Sequence, residues 1–513
     1  MFLQAKCTRK RPGFLSGYII EMKILFYNWV QFDDPEKRGG GVAVYQKHLI
    51  AKMSEDKNDD LFFLSSGIAY NAFMRKAYHR PTTNIFGQKC RTFEIVNSAV
   101  TSPGHFCYDA DSVLSNSATT RVFLEFVKRH GPFDVVHLDN LEGIPAEVIK
   151  LKEIYPTTNL ILMLHNYYPF CPQVNLWKRE EENCSDYNGG QDCIHCLPYQ
   201  VDQHVVIAAH RLAFHLKAVG APPDSWFFRT IFKYIRLLYT PYKYLSRLQG
   251  NLIASRDCAK NSITLKEITT KADFFVRRRR TFVSLINDHV DKVLTVSKRV
   301  AEIAEHYGIK KDKIEVSYIG TAHAEKQAKY DLRQDYRNIL TICYLGYMRK
   351  DKGFYFLLDA LESMPTPIAK RINVVFAAEN KDHKAYERIE LLCSNFNKVY
   401  YTNGYTHEQL DEILSNVDIG IIPVLWEDNL PQVAIEMVSR GIPVLTSDLG
   451  GACELGNNSN FIFRNGDTQD FIDKLEQVLN RDILLSEFWE HAMTPVSFND
   501  HVKQLKYIYK QKY

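Results

Sequence analysis

Three segments of the 513-residue chain carry residue types and spacings suited to holding an anion. In Lys37-Arg-Gly-Gly-Gly-Val42, Gly40 and Gly41 would let backbone N–H groups approach an anion at a helix N-terminus, although the same glycines would also serve a plain tight turn. In Tyr344-Leu-Gly-Tyr-Met-Arg-Lys-Asp-Lys-Gly353, Arg349 and Lys352 fall in a strand-to-helix loop. Cations there can hold a diphosphate and neutralise charge that grows as its bond to a sugar breaks; the alternative is a solvated charge cluster. The third segment, Trp426 to Met437, contains Asp428, Asn429, Leu430, Pro431 and Glu436, and Pro431 suits the first turn of a helix. At helical rise the two carboxylates lie up to roughly 12 Å apart, a span that could grip opposite ends of a nucleotide sugar. A plainer reading makes Asp428 a helix N-terminal acid and Glu436 a surface residue, but Val433, Ile435, Met437 and Val438 surround Glu436.

Strand-like runs alternating with amphipathic helices must position these segments, which predicts α/β architecture with two facing doubly wound, Rossmann-like domains. The strands are expected at Lys23–Val30, Leu61–Leu64, Asp134–Leu138, Asn159–Leu164 and Lys292–Val296, then Leu340–Leu345, Asn373–Ala377, Lys398–Thr402, Asp418–Pro423, Pro443–Thr446 and Phe461–Phe463. His165 closes one of them. The expected boundaries are an extension at 1–21, an N-terminal domain at 22–320, a hinge near 320–338, a C-terminal domain at 338–495, and a final helix at 496–513 that could pack back across the junction.

A stretch of about 166–285 breaks the rhythm and reads as a largely helical, Cys-containing insertion. Its Cys171, Cys184, Cys193 and Cys196 could close a structural zinc site, with free thiols or a labile disulfide as alternatives. Residues 201–290 hold 15 Lys and Arg against 6 Asp and Glu, and interleave aromatics such as Phe232, Tyr234, Tyr239, Tyr242 and Tyr244. This stretch and Arg277–Arg280 could form a solvated or internally packed face, contact anionic lipid headgroups, or bind RNA. Asp109-Ala-Asp111 imitates a metal-binding D-x-D motif, but no apolar strand precedes it, and no site is assigned there.

Composition excludes other classes. With 64 Lys and Arg against 60 Asp and Glu, a net charge of +4 gives no general reason to expect a nucleic-acid partner. No apolar run approaches the roughly 18 residues of a membrane span. Eleven dilute cysteines and a start without an export signal fit a reducing cytoplasm.

Gly40-Gly41, Lys352-Gly353, the Asp428-to-Glu436 segment and Gly441-x-Pro443 together resemble family 4 of the glycosyltransferases, retaining enzymes of the GT-B fold. The resemblance covers about 290–460 clearly and 22–165 in outline. It implies a nucleotide-diphosphate sugar donor in the C-terminal domain, an acceptor in the N-terminal one, retention of anomeric configuration by front-face attack, and no required metal. Lys352 resembles the family's diphosphate lysine, Glu436 the glutamate that holds the ribose, and His165 the histidine that reaches the transferred sugar. Asn429, Leu430 and Pro431 resemble the loop whose amides face the donor. Asp428 stands one methylene short of the family's first glutamate. Tyr347 occupies the place of its phosphate arginine, with Arg349 two residues on as the substitute. The setting implied is bacterial surface-polysaccharide assembly, with a glycan or lipid-linked acceptor reached from the inner face of the plasma membrane. A non-catalytic sugar-nucleotide-binding scaffold and a nucleotide-sugar epimerase are the alternative functions.

Overall fold

The computed structural model describes residues 21–56, 58–197, 202–235, 237, 265–326, 338–379 and 382–513. The basic residues of the N-terminal extension and Tyr239, Tyr242 and Tyr244 lie outside the described residues, as does most of the charged hinge stretch.

Two parallel sheets organise the chain. The first contains β1 (Lys23–Tyr27), β2 (Asp60–Ala69), β3 (Tyr78–Pro81), β4 (Cys90–Val96), β5 (Val135–Leu138) and β6 (Asn159–Leu164). A small hairpin, β7 (Trp177–Lys178) and β8 (Glu182–Asn183), intervenes before β9 (Lys292–Thr295) and β10 (Ile314–Val316) complete the sheet. Its order is β10-β9-β6-β5-β1-β2-β4-β3, parallel except where β3 runs against β4. The second sheet comprises β11 (Leu340–Tyr347), β12 (Ile372–Glu379), β13 (Lys398–Thr402), β14 (Ile419–Ile422), β15 (Val444–Ser447) and β16 (Ile462–Phe463), in the order β13-β12-β11-β14-β15-β16. Both orders reverse beside their first strand, the mark of doubly wound sheets whose ligands bind outside the strand C-termini at the reversal. Runs such as Ile419-Gly-Ile-Ile422 are wholly buried, as strands covered by helices on both faces must be. At Gly420 an added Cβ would lie 2.1 Å from the sulfur of Met437, so the glycine lets the helix Gln432–Val438 seat closely on β14.

The insertion is largely helical where it is described. Its last described element, the 25-residue helix Leu265–His289, delivers the chain into β9 beside β6. It is the crossover that a parallel β6–β9 pair requires. The interrupting part therefore lies upstream, in the β7–β8 hairpin, the helix Gln203–Ala218 and a helical stretch at 226–235.

Two chain crossings connect the sheets. Thr321 and Ser497 form a parallel bridge, and Thr321 N–H donates to Val496 O at 2.9 Å. Beyond it the helix Phe498–Lys510 packs on the first unit. Lys506 pairs with Asp56 and Asp59, both at 2.7 Å, and Asn159 donates to the carbonyls of Tyr509 and Gln511. Among the described residues, no helix is long and apolar enough to cross a membrane.

Candidate active site

The loops after β11 and β14 leave adjacent strands at the reversal of the second sheet, which brings residues 76 positions apart into contact. Lys352 Nζ lies 2.5 Å from Asp428 Oδ2 and 5.1 Å from the centre of the Trp426 ring. Asp428 is therefore not a helix N-terminal acid; the helix begins at Gln432, with Pro431 at its cap, and residues 428–431 form a loop. Gly353 fixes the lysine's approach. Its φ is +70°, and a Cβ there would meet Pro423 O at 1.6 Å, which only glycine avoids. Arg349, expected beside Lys352 as a second cation, instead makes a two-pronged pair with the buried Asp351, both contacts at 2.8 Å.

Glu436 is buried at 4% exposure, against the surface alternative. Its Oε1 lies 3.2 Å from His407 Nδ1 and 3.9 Å from His323 Nε2, while its buried Oε2 has no hydrogen-bond partner. The side-chain amide of buried Asn429 is likewise unpartnered at both atoms, and Leu430 and Pro431 are buried beside it.

Across the crevice, Gly40 and Gly41 form the first turn of the helix Gly40–Met53. Gln432 Nε2 donates to Gly41 O at 2.9 Å, which joins the glycine loop directly to the Asp428–Glu436 segment. Val44, His48, Thr321, His323, His407, Gln432 and Glu436 are among the residues around a narrow crevice between the two units. Its flank is latched. Arg299 makes a two-pronged pair with Glu427 at 3.0 and 2.5 Å, and Glu454 accepts the N–H groups of Lys298 and Arg299 at the start of the helix Lys298–His306.

His165 forms part of a buried polar network on the first unit. Its Nε2 lies 3.2 Å from Asp139 Oδ1, its ring centre is 4.9 Å from that of Tyr45, and Gln46 donates to the other Asp139 oxygen at 2.7 Å. His137 Nε2 stands 3.5 Å from the same Asp139 Oδ1, while its Nδ1 meets the hydroxyl of Tyr509. Tyr45 OH reaches His501 Nε2 at 2.6 Å, so the final helix supplies two members of the network. Burial alone would raise the Asp139 carboxyl, but His137 and His165 hold it well below the usual carboxylate range. Burial, helped by neighbouring His137 and His165, pushes His501 down to about 3.

The remaining expected residues lie elsewhere. Cys171, Cys184, Cys193 and Cys196 share one region as free thiols; burial, then Cys171 and Cys196, pushes Cys184 up to about 12. Among the described residues, the sets of three or more ligand atoms within 4.8 Å of one another are His323–His407–Glu436 and Glu21–Asp56–Asp59, so no three of these thiols are that close. Cys196 Sγ is instead 3.6 Å from Gln173 Oε1, and Cys184 Sγ 3.6 Å from Asp186 O. Asp111 is 79% exposed in side chain and paired with Arg277. Arg278 is buried against Tyr168 and Phe282 and donates to Tyr168 O at 2.7 Å, and Arg279 stacks on Tyr187 and Tyr307. Half of the arginine run, Arg278 and Arg279, is thus consumed by internal packing, while Arg277 and Arg280 are exposed.

Sequence reasoning missed Asp139, Arg299, Glu427, His323 and His407. Only Asp139 carried a usable signal: it follows β5 at the C-terminal edge, beside the strand-order reversal.

The fold is α/β of the GT-B kind, two Rossmann-like units facing across a crevice. Residues 339–481 match the family described as "Glycosyl transferases group 1". Two uncharacterized glycosyltransferases of Methanocaldococcus jannaschii are similar: MJ1069, 24% identical over 198 residues (37% of this chain, 48% of that protein), and MJ1607, 25% identical over 177 (32% and 44%). The chain spans about half the length of these curated relatives. Among solved structures, Anabaena HepE in complex with UDP and glucose superposes with a TM-score of 0.52 at 13% identity, covering 95% of this chain and 99% of HepE. Sucrose-phosphate synthase from Thermosynechococcus elongatus gives 0.53 at 12% identity, covering 96% and 99%.

Proposed function

We propose that the protein is a retaining glycosyltransferase using a nucleotide-diphosphate sugar. The observation that supports this best is that three loops are joined through one segment: Asp428 holds Lys352, Gln432 bonds Gly41, and Glu436 keeps a free buried oxygen. In this reading the donor lies on the second unit, its ribose on Glu436 and its diphosphate on Lys352. The amides of Gly40 and Gly41 face the leaving group from the first unit. As the bond from the anomeric carbon to the diphosphate oxygen breaks, Lys352 and these amides stabilise the growing negative charge. The acceptor oxygen bonds to the same face of that carbon, and its proton passes to the departing phosphate oxygen. Asp428, unsuited to a phosphate, accepts sugar hydroxyls, and His165 approaches the sugar from the other side. Arg349 would serve as a second cation only by leaving Asp351.

UDP-glucose, present in a complex of HepE, is the first donor to try, and UDP the first nucleotide. A panel of nucleotide sugars screened for thermal stabilisation identifies the donor, and proton NMR of the product reads its anomeric configuration. An inverted product would refute retention. Slow donor hydrolysis without acceptor is expected; its absence with tight binding would favour a scaffold, and donor isomerisation an epimerase.

The proposed acceptor is a glycan or lipid-linked sugar in surface-polysaccharide assembly, met by a cytoplasmic protein resting on anionic membrane. Trp226, 78% exposed, and half-exposed Phe227 near Arg229 and Lys233 supply the amphipathic surface. Flotation with anionic vesicles should fall as salt rises; no flotation at low salt would refute this contact.

A further inference from the structure

His323, His407 and Glu436 meet on one wall of the crevice from three separate segments: the crossing between the units, the turn after β13, and the helix Gln432–Val438. The turn is stiff. Thr406 and Gln409 close a reciprocal capping box around His407–Gln409, with Gln409 Oε1 accepting Thr406 N–H at 2.9 Å. That fixes the backbone from which His407 Nδ1 reaches Glu436 Oε1 at 3.2 Å. Most buried carboxylate oxygens are satisfied, yet Glu436 Oε2 is not. The trio has the composition of a cation site, but Arg440 argues otherwise. Its guanidinium, which can only donate, lies 3.3 Å from His323 Nδ1, so that nitrogen accepts and Nε2 carries the proton towards Glu436. A protonated nitrogen offers a metal no lone pair.

We infer that His407 is a positioning residue for nucleotide binding: by holding one oxygen of Glu436, it sets the carboxylate so that Oε2 accepts a ribose hydroxyl. This rests on the donor reading above. His323 Nε2, on the interdomain crossing, stands 3.9 Å from the same carboxylate. Hydrogen bonding to Glu436 raises the His407 imidazole above its ordinary range, against partial burial. The charged and titratable groups facing it are Glu436, Glu408, Arg440, His323 and His48. Because the folded value is raised, the charge-assisted bond is fully present below about pH 6.5 and is lost as pH rises through the raised value.

Calorimetric titration of the full chain with UDP, GDP and ADP, and with the 2′-deoxy form of whichever binds, tests this between pH 6 and 9. His407→Ala should weaken binding roughly 3- to 10-fold at the acidic end and narrow the preference for ribose over deoxyribose. His407→Gln, which keeps a donor without titrating, should retain most of the affinity and flatten the pH profile relative to wild type. Titration of the nucleotide's own phosphate is common to all proteins and cancels. If wild type binds a nucleotide while both variants match it in affinity, pH profile and ribose preference, the role of His407 is refuted and the donor reading stands. If wild type binds none of the three, both fall. Binding of stoichiometric Zn²⁺ that is abolished by His407→Ala would overturn the inference in favour of a cation site.

Discussion

Replacing Lys352 by alanine tests the electrostatic core of the proposed reaction. The lysine is 28% exposed in side chain and Asp428 is 10% exposed, so removal leaves a mostly buried carboxylate without its cation. Leaving such a group unsatisfied costs about 1–3 kcal/mol, which a domain stable by about 5–15 kcal/mol survives folded. Circular dichroism and the thermal midpoint should therefore change modestly. The rate should not: losing one preorganised group that stabilises developing charge costs about 10²- to 10³-fold, equivalent to roughly 2.7–4 kcal/mol of barrier. The assay is release of nucleoside diphosphate from the donor found by thermal screening, at saturating donor, with Lys352→Arg as the variant that keeps the charge and should recover part of the loss. A tenfold or smaller loss in a folded Lys352→Ala protein would refute the assigned role.

Other outcomes follow from neighbouring geometry. Asp139→Ala strands two imidazoles that now share its carboxylate and should cost about 3–5 kcal/mol in chemical denaturation. Because the Asp139 carboxyl is depressed in the folded state, its contribution is present above the ordinary carboxylate range; wild type's advantage should shrink as pH falls below about 4. Gly353→Ala and Gly466→Ala separate strain from collision: both glycines have φ near +70°, but only at Gly353 does a Cβ meet another atom, Pro423 O, within 4 Å. Gly466→Ala should lose about 1–3 kcal/mol, and Gly353→Ala clearly more, together with activity; equal losses would contradict the packing described. Metal analysis of purified protein should find below about 0.2 equivalents of zinc; one equivalent, lost on mutating Cys193 or Cys196, would show that the thiols close on an ion.

The strands of the second sheet were legible because each is a short apolar run between turn signals, and Lys398–Thr402 was expected with the bounds it has. Single-strand pairings were not. The Lys352–Asp428 contact exists because β11 and β14 are neighbours, a fact of strand order that no local spacing encodes. The helix Leu265–His289 overlaps the stretch read as an insertion, and of the readings open for Arg277–Arg280 internal packing holds for Arg278, a core residue held by carbonyls and aromatic faces. His323 and His407 sit in loops without any motif, and only the fold brings them to Glu436. Cysteine spacing likewise did not show that Cys184 Sγ faces Asp186 O and Cys196 Sγ faces Gln173 Oε1.

The return of residues 498–509 to the first unit ties its assembly to the order of synthesis. His501 and Tyr509 complete the polar floor around His165, yet they leave the ribosome after the whole second unit. A nascent chain can finish its second unit first, while the first waits, with one wall open, for residues 498–509. The paired crossings at Thr321 and Ser497 then tie the finished halves along two adjacent lengths of chain and not one.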